Sequence, residues 1–297
     1  MSLTPEQIET RRTGITSTDA SAIVGLSRKA ALEVYASKVG EGTVVEDNEA
    51  MYWGRKLEPL VARRYVKAAS QSLVLSDPGT RRHKTERWML ATPDRLVAPW
   101  GQWPTWGLEC KTAFAIEQVK RWGDSEDRMP WEYIVQCQWC MGVMGFTRWD
   151  VAVLLGGYHG ADYRQYTLHY DDGRIMTHPT KGVIARCRQF HFENVLKRIP
   201  PEPDGSASAQ AAISAMYTRA DLDVKLAMNG EEEDLLEDYR GALADKKLAE
   251  QAEAEARQKL EMLIGDAEGI EHPEIGTVTW KKDKRGKRRW NSRGVKV

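Results

Sequence analysis

Asp94, in Thr92-Pro93-Asp94, is followed fifteen residues later by Glu109-Cys110-Lys111. In an extended strand successive side chains alternate between faces, so Glu109 and Lys111 point the same way while Cys110 points into the core. With Asp94 supplied from a neighbouring strand or turn, two carboxylates and an ammonium meet at one place. Two converging carboxylates make a hard-oxygen site suited to Mg²⁺, which takes few protein ligands and keeps its waters. A lysine beside that ion can orient or deprotonate an attacking water and can stabilise the charge on a phosphorane. The combination suits phosphodiester hydrolysis. Taken alone, the same pattern also fits a strand with alternating charge on its solvent face.

Three further groups bear on that choice. Glu58, in Trp53-Gly-Arg-Lys-Leu-Glu-Pro59, lies in an expected helix before the strands and can add a third carboxylate. Gln136, in Tyr133-Ile-Val-Gln136-Cys-Gln138, falls one turn beyond Tyr133 on the same helix face. There it can hold a metal-bound water or a phosphate oxygen, or it is an ordinary polar helix residue. Near the N-terminus Arg12 precedes Gly14, which allows close approach of the backbone to a ligand, and Thr16-Ser17-Thr18 opens a helix. Free N–H groups, hydroxyls and a guanidinium form a phosphate pocket. The plain alternative is a capped helix with a surface arginine.

The elements that must position these groups read as mixed α and β over residues 1–200. Helices are expected from Thr18 to Val24, Ala30 to Val39, about Met51 to Ala69, Pro130 to Met144 and Val183 to Leu196. Strands are expected at Trp88–Thr92, Trp106–Lys111, Trp149–Leu155 and Tyr163–Tyr170. Pro200-Pro-Glu-Pro-Asp-Gly-Ser reads as a linker. Beyond it, residues 201–297 read as an extension. It comprises a helical hairpin over 207–265 (Ala207–Met228 and Glu231–Ile264) and a basic β-hairpin over 275–297 turning near Gly286.

The order Arg12-Thr-Gly-Ile-Thr-Ser-Thr-Asp-Ala, Trp-Gly-x-x-x-Glu-Pro, Thr-Pro-Asp, Leu-Glu-Cys-Lys and Tyr-x-x-Gln-x-Gln resembles the YqaJ-type viral recombinases. This is the phage λ exonuclease-like branch of the PD-(D/E)xK nucleases, and the resemblance covers about residues 10–198. It implies an α/β fold with a mixed central sheet flanked by helices. It also implies a Mg²⁺-dependent 5′→3′ exonuclease on linear double-stranded DNA, producing 3′ overhangs for single-strand annealing recombination. Two Mg²⁺ ions are implied, with Mn²⁺ able to substitute. Asp94, Glu109 and the backbone carbonyl of Cys110 become metal ligands, with Glu58 a further acid near them. Lys111 becomes the catalytic lysine and Gln136 the group that positions water or phosphate. Arg12, Thr16, Ser17, Thr18 and Tyr133 become the 5′-phosphate and DNA-binding set. A ring-shaped homo-oligomer, with a trimer leading, a phage annealing protein as partner and a bacterial cytoplasmic setting complete the implication. Two departures stand out: Arg95 follows Asp94 where the family usually has Gly, and Cys110 replaces a β-branched residue or Leu.

Composition narrows the classes. At 41% apolar and 29% charged, the 297 residues have the balance of a globular protein. No apolar run approaches the ~20 residues of a membrane span, and the N-terminus has no secretory pattern. Four cysteines are too few for a disulfide scaffold and fit a reduced setting. Cys137-Gln-Trp-Cys140 reads as two half-buried thiols rather than a zinc or redox pair. Trp100, Trp103 and Trp106 fit either base stacking or a strand edge on the core.

The zero net charge hides segregation: residues 201–280 hold 19 acids against 7 Lys and Arg, and residues 281–297 hold 9 Lys and Arg against one acid. Trp280, Lys281, Lys282, Arg288 and Arg289 are therefore candidate DNA contacts, with a clamp onto the acidic helices as the alternative. Two other functional classes stay open. One is an endonuclease of the same superfamily, restriction or junction-resolving in type. The other is a DNA-binding protein with a dead site.

Overall fold

The computed structural model describes residues 5–43, 47–69, 72–125, 128–156, 160–170, 176, 182–219, 230–292 and 295. The strand carrying Glu109 and Lys111, β5 (Trp106–Ala113), lies at the centre of a five-stranded sheet. Its neighbours are β1 (Leu73–Ser76), β4 (Arg95–Pro99), β6 (Arg148–Leu155) and β7 (Asp162–His169), in the order β1-β4-β5-β6-β7. The β5–β6 pair is parallel and every other pair is antiparallel. The parallel pair is covered on both faces, as such pairs are, and β6 accordingly reads as a nearly continuous apolar run.

Each face has its own helix. On one, α6 (Trp131–Met144) packs with Val151, Val153 and Leu155 of β6, and α2 (Ser17–Ile23) and α3 (Ala31–Val39) extend that core. On the other, Val61, Ala62 and Tyr65 of α4 (Glu49–Ala68) pack against Trp106, Leu108 and Cys110. Cys110 thus points into the core under α4, and the period of two sends Glu109 and Lys111 to the α6 face. A buried polar knot ties the α4 face together. Asp150 accepts from Tyr65 Oη at 2.5 Å, Thr167 Oγ1 at 2.9 Å and Arg148 Nη2 at 2.7 Å. With its acceptor sites filled, that carboxylate is a structural group.

Several expectations need adjustment. The strand expected at Trp88–Thr92 shrinks to β3 (Leu90–Ala91), which pairs with β2 (Arg81–Arg82) and not with the main sheet. A first helix, α1 (Pro5–Arg12), and strands β1 and β4 were not read from the sequence. The closing helix α7 (Val183–Gln189) continues as a π-helical turn through Phe190–Val195. Two short helices complete the list before the second unit, α5 (Ile116–Val119) and α8 (Ala207–Met216).

The chain folds into two units, Met1–Ala220 and Asp221–Val297. The first unit therefore runs past the linker at Pro200, because α8 packs on α3 through buried Ala209 and Ala212. Ser208 Oγ accepts from the Ala30 amide at 2.8 Å and donates to Glu33. The helical hairpin over 207–265 is corrected accordingly: α8 belongs to the first unit and ends at Met216, while residues 220–229 lie outside the described residues. The second unit holds α9 (Glu231–Ile264) and a three-stranded antiparallel sheet. Its strands are β8 (Gly269–His272), β9 (Gly276–Lys282) and β10 (Arg288–Asn291), one more than the hairpin expected at 275–297. Among the described residues no helix is long and apolar enough to cross a membrane.

Candidate active site

Strand β5 presents Glu109 and Lys111 side by side, and Lys111 Nζ donates to Glu109 Oε1 at 2.5 Å. The same ammonium reaches Gln136 Oε1 on α6 at 3.4 Å and lies 4.8 Å from the centre of the Tyr133 ring. Tyr133 itself stacks on Trp122, with ring centres 5.3 Å apart. It therefore forms a wall beside Lys111. Asp94 enters from the turn before β4, and its Oδ2 accepts from the Cys110 amide at 2.8 Å. That bond fixes the carboxylate between the two strands. Asp94, Glu109, Lys111 and Gln136 thus come together as the alternation of β5 and the turn of α6 require.

Electrostatics sharpen the picture. Burial and the adjacent charge of Glu109 push the Asp94 carboxyl well above the usual carboxylate range. Burial pulls the Lys111 ammonium down, but Glu109 and Asp94 outweigh it and hold the lysine protonated. Two half-buried carboxylates share one lysine, a like-charge conflict that a cation would relieve. Burial together with Asp94 and Glu109 raises the Cys110 thiol and disfavours its thiolate.

Glu58 has a different partner from the one expected. Its Oε1 pairs with Arg95 Nη1 at 2.7 Å, and the same guanidinium donates to the Asp94 carbonyl. Arg95, the residue that departs from the family pattern, therefore links the third acid to the backbone at Asp94. Among the described residues no three Asp, Glu, His or Cys side chains gather closely enough to enclose a metal alone. The donor set is two carboxylates with Glu58 beside them. It fits Mg²⁺, which needs one or two carboxylates and completes its shell with water and phosphate.

At the N-terminal motif the two adjacent arginines part ways. Arg12 turns outward and pairs with Glu9 at 2.8 Å in an exposed contact. Arg11 turns inward: its Nη1 donates to Thr92 Oγ1 at 3.3 Å, and its Nη2 to Thr16 Oγ1 at 3.4 Å and Thr18 Oγ1 at 3.3 Å. Thr92, which receives one of these bonds, lies two residues before Asp94 in the chain. Thr16 caps α2 and forms a capping box with Asp19, which pairs with buried Lys38 at 2.6 Å. Its hydroxyl serves the fold, whereas Thr18 stays exposed and Ser17 half-buried. Gly14 also has a structural reason. A Cβ there would sit 2.3 Å from the Trp88 carbonyl oxygen, and Ile15 and Trp88 exchange a backbone hydrogen bond at 2.8 Å. The close approach is to β3's own segment, not to a ligand.

The remaining candidates separate cleanly. All four cysteines are free and buried, and Cys137 and Cys140 lie inside α6. Trp106 is core, whereas Trp100 and Trp103 are 77% and 88% exposed. In the second unit, Arg288 covers the Trp280 ring at 3.9 Å and donates to the carbonyls of Gly265 and Ala267, closing the end of α9. Arg289 pairs with Asp283 at 2.8 Å and Lys281 with Glu268 at 3.1 Å, while Lys282 is exposed. Trp280 faces Trp290 across β9 and β10.

Residues 7–147, which span Arg11, Asp94, Glu109, Lys111 and Gln136, match the model of the YqaJ-like viral recombinase domain. Among solved structures, the chain is similar to an alkaline exonuclease (LHK-Exo) from Laribacter hongkongensis. The identity is 24% over 66% of this chain and 97% of that one, with a TM-score of 0.46. LHK-Exo in complex with dAMP gives 20% identity over 66% and 94%, with a TM-score of 0.46. A phage related exonuclease from Haemophilus somnus 129PT gives 10% identity over 69% and 94%, with a TM-score of 0.43. No curated protein matches the chain.

Proposed function

We propose, for a chain whose residues 7–147 match the model of the YqaJ-like viral recombinase domain, a deoxyribonuclease that works from DNA ends. It is a Mg²⁺-dependent 5′→3′ exonuclease on linear duplex DNA, leaving 3′ single-stranded overhangs for phage-type annealing recombination. The observation that carries this reading is the protonated Lys111 held between Glu109 and Gln136, beside an Asp94 fixed by the Cys110 amide. A structural salt bridge would need neither the second acid nor the glutamine.

Asp94, Glu109 and the Cys110 carbonyl would hold Mg²⁺, with Glu58 beside them. Bound there, the metal polarises the phosphate and lowers the pKa of water. Lys111 places a fixed positive charge where the phosphorane becomes more negative. Gln136 and Tyr133 keep that charge in register with the carboxylates. Arg11, with the exposed Thr18 hydroxyl beside it, receives the 5′-terminal phosphate through charge-assisted hydrogen bonds. Outside the first unit, Lys281, Lys282 and Trp280 serve as DNA contacts, and Arg288 and Arg289 support them from structural positions. The assembly is a homo-oligomeric ring, with a trimer leading, working beside an annealing protein in the bacterial cytoplasm.

Incubation with linear and covalently closed circular duplexes in Mg²⁺ tests the reading. The linear form should be consumed and the closed form spared. Nicking of the circle at a comparable rate would assign the site to an endonuclease, and inertness toward both would leave only a binder.

A further inference from the structure

On the α4 side of the end of β5 lies a second cavity, of about 600 Å³, that the catalytic groups do not occupy. It shares Thr112 and Gln118 with a cavity of about 240 Å³ lined by Tyr133 and Gln136. Leu57, which precedes Glu58, and Thr112, which follows Lys111, form part of its wall. The cavity therefore begins one residue from two of the site's charged groups. Its volume lies within the range of small-molecule sites, roughly 300–1,000 Å³.

Two aromatic side chains dominate it, and both are held with a face in solvent. Trp53 is 52% exposed, and its Nε1 donates to Glu49 Oε2 at 3.0 Å, one turn earlier on α4. That bond satisfies the indole's only donor, and the ring meets Tyr52 edge to face with centres 5.4 Å apart. Phe114 is 51% exposed and rests on Gly156, where a Cβ would lie 2.3 Å from the Phe114 ring. Glycine at 156 thus makes the seat for that ring. Held by Glu49 and Tyr52 in one case and by the glycine seat in the other, both large rings stay half-exposed and present apolar surface to the cavity.

From this geometry we infer that Trp53 and Phe114 form a stacking site for an unpaired nucleobase of the strand held at Asp94, Glu109 and Lys111. The inference rests on the nuclease reading and adds to it the way a base beside the cleaved phosphate is gripped. A nucleobase is the occupant because the cavity shares Thr112 and Gln118 with the one lined by Tyr133 and Gln136, and a base is the apolar, flat part of the same substrate. Stacking on an aromatic face is tolerant of sequence, since every base has a π-face. An enzyme that removes nucleotides in succession needs that tolerance.

The test uses the full chain in EDTA, so that no cleavage occurs, and single-stranded oligonucleotides with 2-aminopurine placed at successive positions from the 5′ end. Stacking should quench the fluorescence strongly at one position and weakly elsewhere. Trp53→Ala and Phe114→Ala should each abolish the quench and weaken binding about tenfold. Trp53→Phe and Phe114→Tyr should retain the quench, which separates a stacking role from a general loss of fold. Unaltered quenching and affinity in both alanine variants, with the parent binding DNA normally, would overturn the base site alone. A changed oligomeric mass with unaltered DNA affinity would assign the cavity to a second copy of the chain and also overturn it. A parent that neither binds nor cuts DNA would overturn the nuclease reading together with the inference.

Discussion

Asp94→Asn, Glu109→Gln and Lys111→Ala are each expected to lower the cleavage rate about a thousandfold or more, the scale of losing a positioned charge from a dry site. The asparagine and glutamine variants separate charge from structure. Asp94→Asn keeps an oxygen for the Cys110 amide, which accounts for the 2.8 Å bond that joins the two strands. It also removes the like-charge conflict with Glu109 that pushes the Asp94 carboxyl upward. Its folded state should therefore melt at or above the parent's temperature in EDTA while cleavage is lost. Lys111→Ala differs: it leaves two half-buried acids without their cation, which destabilises the fold because neither carboxylate is fully hydrated. This variant should melt lower in EDTA and recover when Mg²⁺ is added, with metal affinity undiminished by calorimetric titration. Near-normal turnover in any of the three would remove these residues from the reaction.

The second large effect concerns the two adjacent arginines. On linear duplexes, a 5′-phosphorylated end should be degraded faster than a 5′-hydroxyl end, and Arg11→Ala should erase the difference. The expected loss is about 1.5–3 kcal/mol, that of a hydrogen bond to a charged group. Arg12→Ala should stay within about twofold of the parent, because its partner is the exposed Glu9 and exposed pairs contribute little. Initial rates on the two ends decide it. A preference lost in Arg12→Ala and kept in Arg11→Ala would return the pocket to its sequence-based assignment.

That pair also marks the boundary of what the sequence discloses. The alternation in Leu108-Glu-Cys-Lys111 places Cys110 under α4 and the two charged residues opposite, because a period of two leaves one solution once a strand is half-buried. The spacing of Tyr133 and Gln136 works for the same reason at helical period. Neighbours on a helix differ by about 100° in direction. Arg11 and Arg12 are thus separable only when the helix that carries them is known, and α1 was not expected. Gly14 misled in a related way: close backbone approach was correctly inferred, but the approaching group is Trp88, which is distant in sequence.

Long-range pairing hides in the same manner. Arg95–Pro99 is β4 because Leu73–Ser76 and Trp106 flank it, and its own five residues end in a proline that argues for a turn. The helix α8 packs on α3 through alanines, whose small side chains carry little periodic signal. The proline-rich stretch before α8 therefore read as the end of a domain. Arg288 was counted among the DNA contacts by charge alone, and its contact with two carbonyls at the end of α9 depends on a turn no local pattern announces.

The central claim is directional removal of nucleotides from a 5′ end, and one labelled substrate tests it directly. A linear duplex with distinguishable labels at the 5′ and 3′ ends of one strand, incubated with the full chain in Mg²⁺, should release the 5′ label as a mononucleotide at the earliest times. The 3′ label should remain on a strand that shortens steadily. Release of the 3′ label first, or appearance of the two labels on separate oligonucleotide fragments, would contradict it.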